Sequence, residues 1–160
     1  MSAPSEIQVV EFGLGDEVFA VPVTLVREIL DHVQPFHVPN GPDYFLGLTD
    51  VRGEGVPTVD LRVRLGLPPA TPTLATRILI LDMPLPDRAL ALGVVIDRVL
   101  GVTTIEPAQV EKAPDIGVRW NSDYITGVVR REYGFVVIID VASIFSAAET
   151  PALSASAKAA

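Results

Sequence analysis

Two histidines, His32 and His37, lie five residues apart, with Asp31 beside the first. A metal centre needs three or four such donors. Asp31 is the only near candidate for a third, so the spacing favours two side chains on a solvated loop or strand face. Asp60 and Asp140 could in principle pair as carboxylates for acid–base work. Each ends a run of the same kind, however, and residues in that position more simply cap or turn the chain. The third constellation is Arg52-Gly53 with Glu28. An arginine at a hairpin tip offers five donors in a planar fork to a carboxylate or to backbone carbonyls. The plainer alternative is an arginine that solvates a turn. Gly47, Gly53 and Gly55 lack side-chain bulk and let another backbone approach closely. No Gly-x-Ser-x-Gly, phosphate-cradling glycine loop or dinucleotide fingerprint occurs, and Gly13-Leu14-Gly15 reads as a hairpin turn. The residues therefore give no catalytic site, no metal site and no cofactor.

The elements that must position Arg52 and Glu28 are β-strands. Residues 44–65 read as an apolar strand, a charged turn at Asp50–Gly55, and a second strand ending in Asp60-Leu61-Arg62, which is a hairpin signal. The same frame returns at 124–145 without a gap: Tyr44 aligns with Tyr124, Gly47 with Gly127, Asp60 with Asp140 and Leu65 with Phe145. One β-unit is used twice. An opening hairpin is expected at 7–23, with Pro22 near a strand end or on an edge, and Phe19–Val23 is echoed within Leu90–Leu100. Thr24–Glu28 reads as one helical turn capped by Thr24, and Ile29–Val38 as a strand-like passage closed by Pro39-Asn40-Gly41-Pro42. Residues 66–76 form a Pro- and Thr-rich linker, Arg77–Leu81 a buried strand, 106–110 a helical turn, 113–123 a loop, and 141–148 a short closing helix. About ten short strands in a duplicated pattern point to two small five-stranded β-barrels packed side by side. Closure would also remove exposed strand edges.

Composition excludes several partners and compartments. A net charge of −8 over 160 residues argues against a nucleic-acid backbone as partner. The absence of cysteine excludes disulfides and thiolate metal sites and fits a reducing compartment. The N-terminus lacks the basic and apolar regions of a signal peptide, and the longest uncharged apolar run, Ala89–Ile96, is too short to span a bilayer. The expectation is a soluble, cytoplasmic protein.

At this point the residues resemble a family. Phe12-Gly13-Leu14-Gly15-Asp16-Glu17-Val18-Phe19-Ala20-Val21, then Val26-Arg27-Glu28-Ile29, then Pro39-Asn40 through Gly47 to Arg62 are similar to the frame of CheW, the bacterial chemotaxis coupling proteins. The second half follows suit with Gly93–Asp97, Gln109-Val110 to Ala113-Pro114, Tyr124–Gly127 and Val137–Asp140. The resemblance covers about residues 7–146. It departs at Asp50-Val51-Arg52-Gly53-Glu54-Gly55, where the family usually has Asn-Leu-Arg-Gly followed by an aliphatic residue two places on. It also departs at Gly101, where an acidic residue is frequent.

The resemblance implies an all-β fold with a few short helices: two five-stranded SH3-like barrels related by internal duplication. It implies a single domain over 7–146, with a first lobe about 12–66 and a second about 77–140, the terminal segments being able to cross between lobes. A disordered tail is expected at 147–160. The implied function is that of a non-catalytic adaptor joining the cytoplasmic signalling tip of chemoreceptors to the regulatory domain of the histidine kinase CheA, with other CheW-like domains as further partners. Its implied location is the inner face of the membrane, without insertion. Val26, Glu28, Gly47, Arg52 and Gly53 fall where the family contacts its partners. Arg52 and Glu28 would select partners, and Val26 would supply apolar affinity. A scaffold of a non-flagellar chemosensory pathway is the runner-up. A small ligand-binding barrel is the third reading, which requires a buried pocket lined by His32, His37 and a carboxylate.

Overall fold

A computed structural model of the protein describes residues 6–111, 124–132 and 134–144. In chain order the elements are β1 (Ile7–Leu14), β2 (Glu17–Pro22), β3 (Val26–Asp31), β4 (Phe45–Val51), β5 (Glu54–Asp60), α1 (Leu61–Arg64), β6 (Arg77–Pro84), β7 (Ala89–Ile96), β8 (Arg98–Ile105), β9 (Val110–Glu111), β10 (Ile125–Arg131), β11 (Gly134–Ile139) and α2 (Val141–Ile144). The all-β expectation with a few short helices holds. Pro22 ends β2, where a missing N–H costs the ladder least. The helical turn after it is a 3-10 turn at Val23–Leu25, and Thr24 does not cap it. The strand expected at 29–38 begins earlier, as β3, and stops at Asp31. Beyond it the chain, interrupted by Pro35, keeps only a single bridge from Phe36 to Leu48 on β4. The loop expected at 113–123, the end of the closing helix and the tail at 147–160 fall wholly or partly outside the described residues.

The strands make two sheets. One has the order β8-β1-β2-β11-β10-β9, the other β3-β6-β7-β5-β4. All pairings are antiparallel except β2 with β11 and β7 with β5. The duplication is visible strand by strand: β8, β1, β2, β11 and β10 correspond to β3, β6, β7, β5 and β4. Even the minor pairing agrees, since Glu111 opposes Val128 as Phe36 opposes Leu48, 80 residues earlier on the main strand (128 − 48 = 80). The two-residue β9 is what makes one sheet six-stranded.

The sheets do not divide the chain at 12–66 and 77–140. The N-terminal hairpin β1-β2 joins the strands of the second half, while the corresponding hairpin β6-β7 joins β3, β4 and β5 of the first. Each half thus gives its opening hairpin to the other. The chain passes between sheets twice among these elements, at Val23–Leu25 and at Asp97, the single residue separating β7 from β8.

This exchange explains the uninterrupted apolar runs. Strands of the exchanged hairpins are buried on both faces and send alternate side chains into different cores. The largest core lies between the sheets and takes Phe12, Phe19 and Val21 from one and Leu79, Leu81 and Leu92 from the other. The intervening residues fill a smaller core within each sheet: Val18 and Ala20 with Val136 on one side, Ile78 and Ile80 with Val56 on the other. Phe12 and Phe19 are fully buried and stacked with ring centroids 6.0 Å apart. Each contributes about 1.5–3 kcal/mol by burial alone.

Candidate functional site

The outer strands of the five-stranded sheet are β3 and β4, and an ion pair joins β3 to the turn that follows β4. Glu28 lies in the middle of β3, opposite Ile80 of β6. Arg52 lies in the two-residue turn between β4 and β5, whose flanking residues Val51 and Glu54 are paired. Its Nη1 donates to Glu28 Oε2 at 2.8 Å. The two side chains are unlike in exposure: Glu28 is 17% exposed and Arg52 79%. A half-buried carboxylate therefore holds one donor of a guanidinium that otherwise faces solvent. An exposed pair of this kind adds at most about 1 kcal/mol to stability. What it does is orient the guanidinium, whose remaining N–H groups stay available to an incoming acceptor.

The turn is built for this display. Arg52 and Gly53 both have positive φ, 52° and 86°, the two left-handed residues of the tight turn that fits the twist of a hairpin. Gly53 meets nothing where a Cβ would stand, so its part is conformational. Asp50, the first residue of the departure from the family's pattern, accepts from Gly53 N at 2.8 Å within the turn. Gly55 is a strand residue of β5 opposite Asp50.

Val26 and Gly47 stand apart from the pair. Val26 opens β3, half-buried, and packs against the core between the sheets. Gly47 is buried on β4, roughly 17 Å along the strand from Arg52. Its φ is 133°, and a Cβ there would overlap the Phe36 carbonyl oxygen. Of the close backbone approaches anticipated at Gly47, Gly53 and Gly55, the one at Gly47 is made by the Phe36 segment, which pairs with β4 at Leu48, and Gly53 has none. Of the five expected partner-contact residues, the structure brings together Glu28, Arg52 and Gly53.

Asp60 and Asp140 are caps. Asp60 Oδ1 accepts from Arg62 N and Val63 N at the start of α1, at 3.0 and 3.4 Å. Asp140 does the same for α2 through Ala142 N and Ser143 Oγ. The two backbones match as well: Asp60 N donates to Tyr44 O and Asp140 N to Tyr124 O, both at 2.8 Å. His37 is exposed, His32 half-buried, and Asp31 exposed and paired at 3.6 Å with Arg77. The buried pocket that a ligand-binding barrel requires from these residues is not formed by them. Among the described residues no cluster of three potential metal ligands occurs. No helix among them is long and apolar enough to cross a membrane.

The six-stranded sheet carries a counterpart that sequence reading missed. Arg131, at the end of β10, donates from Nη2 to Glu11 Oε2 of β1 at 3.0 Å, and Thr103 Oγ1 of β8 donates to the same oxygen at 2.6 Å. Glu11 is only 4% exposed. A glutamate inside the apolar run Val9-Val10-Glu11-Phe12 was the available signal, because a buried carboxylate demands a partner. Arg27 beside Glu28 also has a role, pairing with Asp82 of β6.

A family model described as a CheW-like domain matches residues 8–149. A relative from Rhizobium meliloti (strain 1021), named chemotaxis protein CheW, is 28% identical over 145 residues, 91% of each chain. One from Bacillus subtilis (strain 168), of the same name, is 31% identical over 138 residues, covering 86% of this chain and 85% of its own. Among solved structures, the scaffolding protein TtCheW from Thermoanaerobacter tengcongensis superposes with a TM-score of 0.78 over 92% of both chains at 22% identity.

Proposed function

Because the chain belongs to the CheW-like domain family, we propose that it is a chemotaxis coupling adaptor, a non-catalytic scaffold between chemoreceptors and the histidine kinase CheA. The match of the family model across 8–149 is the observation that carries this reading. The relatives named chemotaxis protein CheW support it along nearly their whole length. The adaptor works at the inner face of the membrane, bound to receptor signalling tips and to the regulatory domain of CheA, with other CheW-like domains as neighbours.

The contact face is centred on Glu28, Arg52 and Gly53. Arg52 is the anchor, presenting its fork of donors to acceptors on the partner. Glu28 positions it, and Gly53 permits the turn. Val26 and Gly47 act indirectly, by seating β3 on the inter-sheet core and by letting the Phe36 segment pair closely with β4.

The test is a binding measurement with a receptor signalling fragment and a CheA regulatory domain from the same organism. Wild type binds both. Arg52→Ala weakens one of the two contacts by about tenfold or more, the size of a truncated anchor, and Glu28→Ala weakens the same contact less. Circular dichroism and melting temperature stay close to wild type in both variants. Wild-type protein that binds neither fragment would remove the coupling function.

A further inference from the structure

The exchange of hairpins leaves the two sheets connected at few places, and one of them is a single residue. Asp97 lies between Ile96, the last residue of β7, and Arg98, the first of β8. It belongs to neither strand, and side chains from both lobes converge on it. Arg62 of α1, which follows the five-stranded sheet, donates from Nη1 to Asp97 Oδ2 at 2.6 Å. The same oxygen accepts from Gly15 N at 2.6 Å, in the β1–β2 turn of the six-stranded sheet. Asp97 N donates to Gly13 O at 3.1 Å. Arg98 Nη1 adds a bond to Gly15 O at 2.8 Å. Arg62 is held in turn: its Nε donates to Pro68 O at 2.8 Å, and its backbone N is capped by Asp60.

We propose that Asp97 is a hinge between the two sheets and that Arg62 is its clamp, a positioning residue that fixes the angle between the lobes. Three observations combine. The hinge is one residue long, and a crossover that short changes angle through very few backbone torsions. The ion pair is largely withdrawn from solvent, with Arg62 17% and Asp97 26% exposed, so it is screened less than a surface pair. Its carboxylate oxygen is shared by groups from both lobes, so opening the pair removes a polar tie between them at the crossover and leaves the shared apolar core to set the angle. The clamp is also one-sided. The duplicate of α1 is α2, where Ala142 and Ile144 stand in the places of Arg62 and Arg64 (62 + 80 and 64 + 80). The corresponding crossover at Val23–Leu25 therefore receives no charged side chain from α2.

The absence of cysteine in the 160-residue chain makes the test direct. Spin labels at Ala89→Cys on β7 and Thr104→Cys on β8, both exposed positions on different sheets, report the lobe-to-lobe distance by pulsed electron resonance. The clamped protein gives one narrow distribution. Arg62→Met, in the labelled background, broadens it roughly twofold or adds a second distance, while far-UV circular dichroism stays that of wild type. A folded Arg62→Met protein with an unchanged distribution would overturn the proposal. If Arg62→Met loses its fold, Asp97→Ala decides by the same measurement: a broadened distribution supports the clamp and an unchanged one sinks it. Loss of fold in both would make the pair a requirement of folding rather than of lobe angle, and the proposal fails.

Discussion

Arg52 occupies its turn at a conformational cost. A side chain other than glycine in the left-handed region costs about 1–2 kcal/mol, and Arg52 sits there at φ 52°. Its exposed pair with Glu28 repays at most about 1 kcal/mol. A residue retained at a net loss to the fold points to a task outside it. Arg52→Gly separates the two effects. It relieves the turn and removes the guanidinium, so the urea midpoint should stay level or rise while partner binding falls as far as in Arg52→Ala. A fall in the midpoint by more than about 1 kcal/mol equivalent would show that the arginine is structural. The dipeptide Arg-Gly was readable as a hairpin tip, and Glu28 was singled out with it, but the ion pair between the two side chains is seen only in the folded structure. The left-handed arginine was not readable, because Asn-Gly or Asp-Gly is the usual pattern for such a turn. The bond from Gly53 N to Asp50 was not readable either, because it exists only once the turn has closed.

At the scale of elements, the repeat at an offset of 80 residues disclosed the strands but not their grouping. The alignment of 44–65 with 124–145 records which segments are alike, and β4-β5 and β10-β11 are indeed alike down to the Asp60 and Asp140 caps. It carries no information on which sheet receives each opening hairpin. Both arrangements bury the same apolar alternation, so lobes at 12–66 and 77–140 fit the pattern equally well. The deciding contacts are parallel pairings between distant segments, β2 with β11 and β7 with β5, for which no local signal exists. The two sheets also differ in how an arginine near the equivalent turn is used. Arg131 meets a buried glutamate, and Arg52 a half-buried one while itself exposed. Removing one partner of a buried pair leaves an uncompensated charge, at a cost of about 3–5 kcal/mol. Arg131→Met should therefore lower unfolding free energy by that order in a urea titration, whereas Arg52→Met changes it by less than about 1 kcal/mol. Equal losses would mean that exposure does not set the value of these ties.

Over the whole molecule, the largest apolar core lies between the sheets rather than within either, and Tyr124 within it predicts a pH dependence at the alkaline limit. Tyr124 is buried at the start of the second copy of the hairpin and belongs to the inter-sheet core. Burial raises its phenol above the ordinary value of 10.0; the nearby Arg64 guanidinium opposes this in part, and Glu17 adds to it. A raised value in the folded state means that the folded protein retains the phenolic proton at a pH where the unfolded chain has begun to lose it. The unfolded state then binds fewer protons, and stability falls as pH rises. Tyr124 therefore costs nothing below pH 10, and the loss grows above it until the folded-state phenol also ionises. Urea midpoints at pH 8 and at pH 10.5–11 measure the effect. Tyr124→Phe keeps the ring in the core and removes the proton, so its midpoint should decline less over that interval than that of wild type. An identical decline in the two proteins would place the alkaline sensitivity elsewhere. Because Tyr124 contributes to the core shared by both sheets, the alkaline loss should appear as one transition common to both lobes. Circular dichroism and the distance between labels at residues 89 and 104 should then change together.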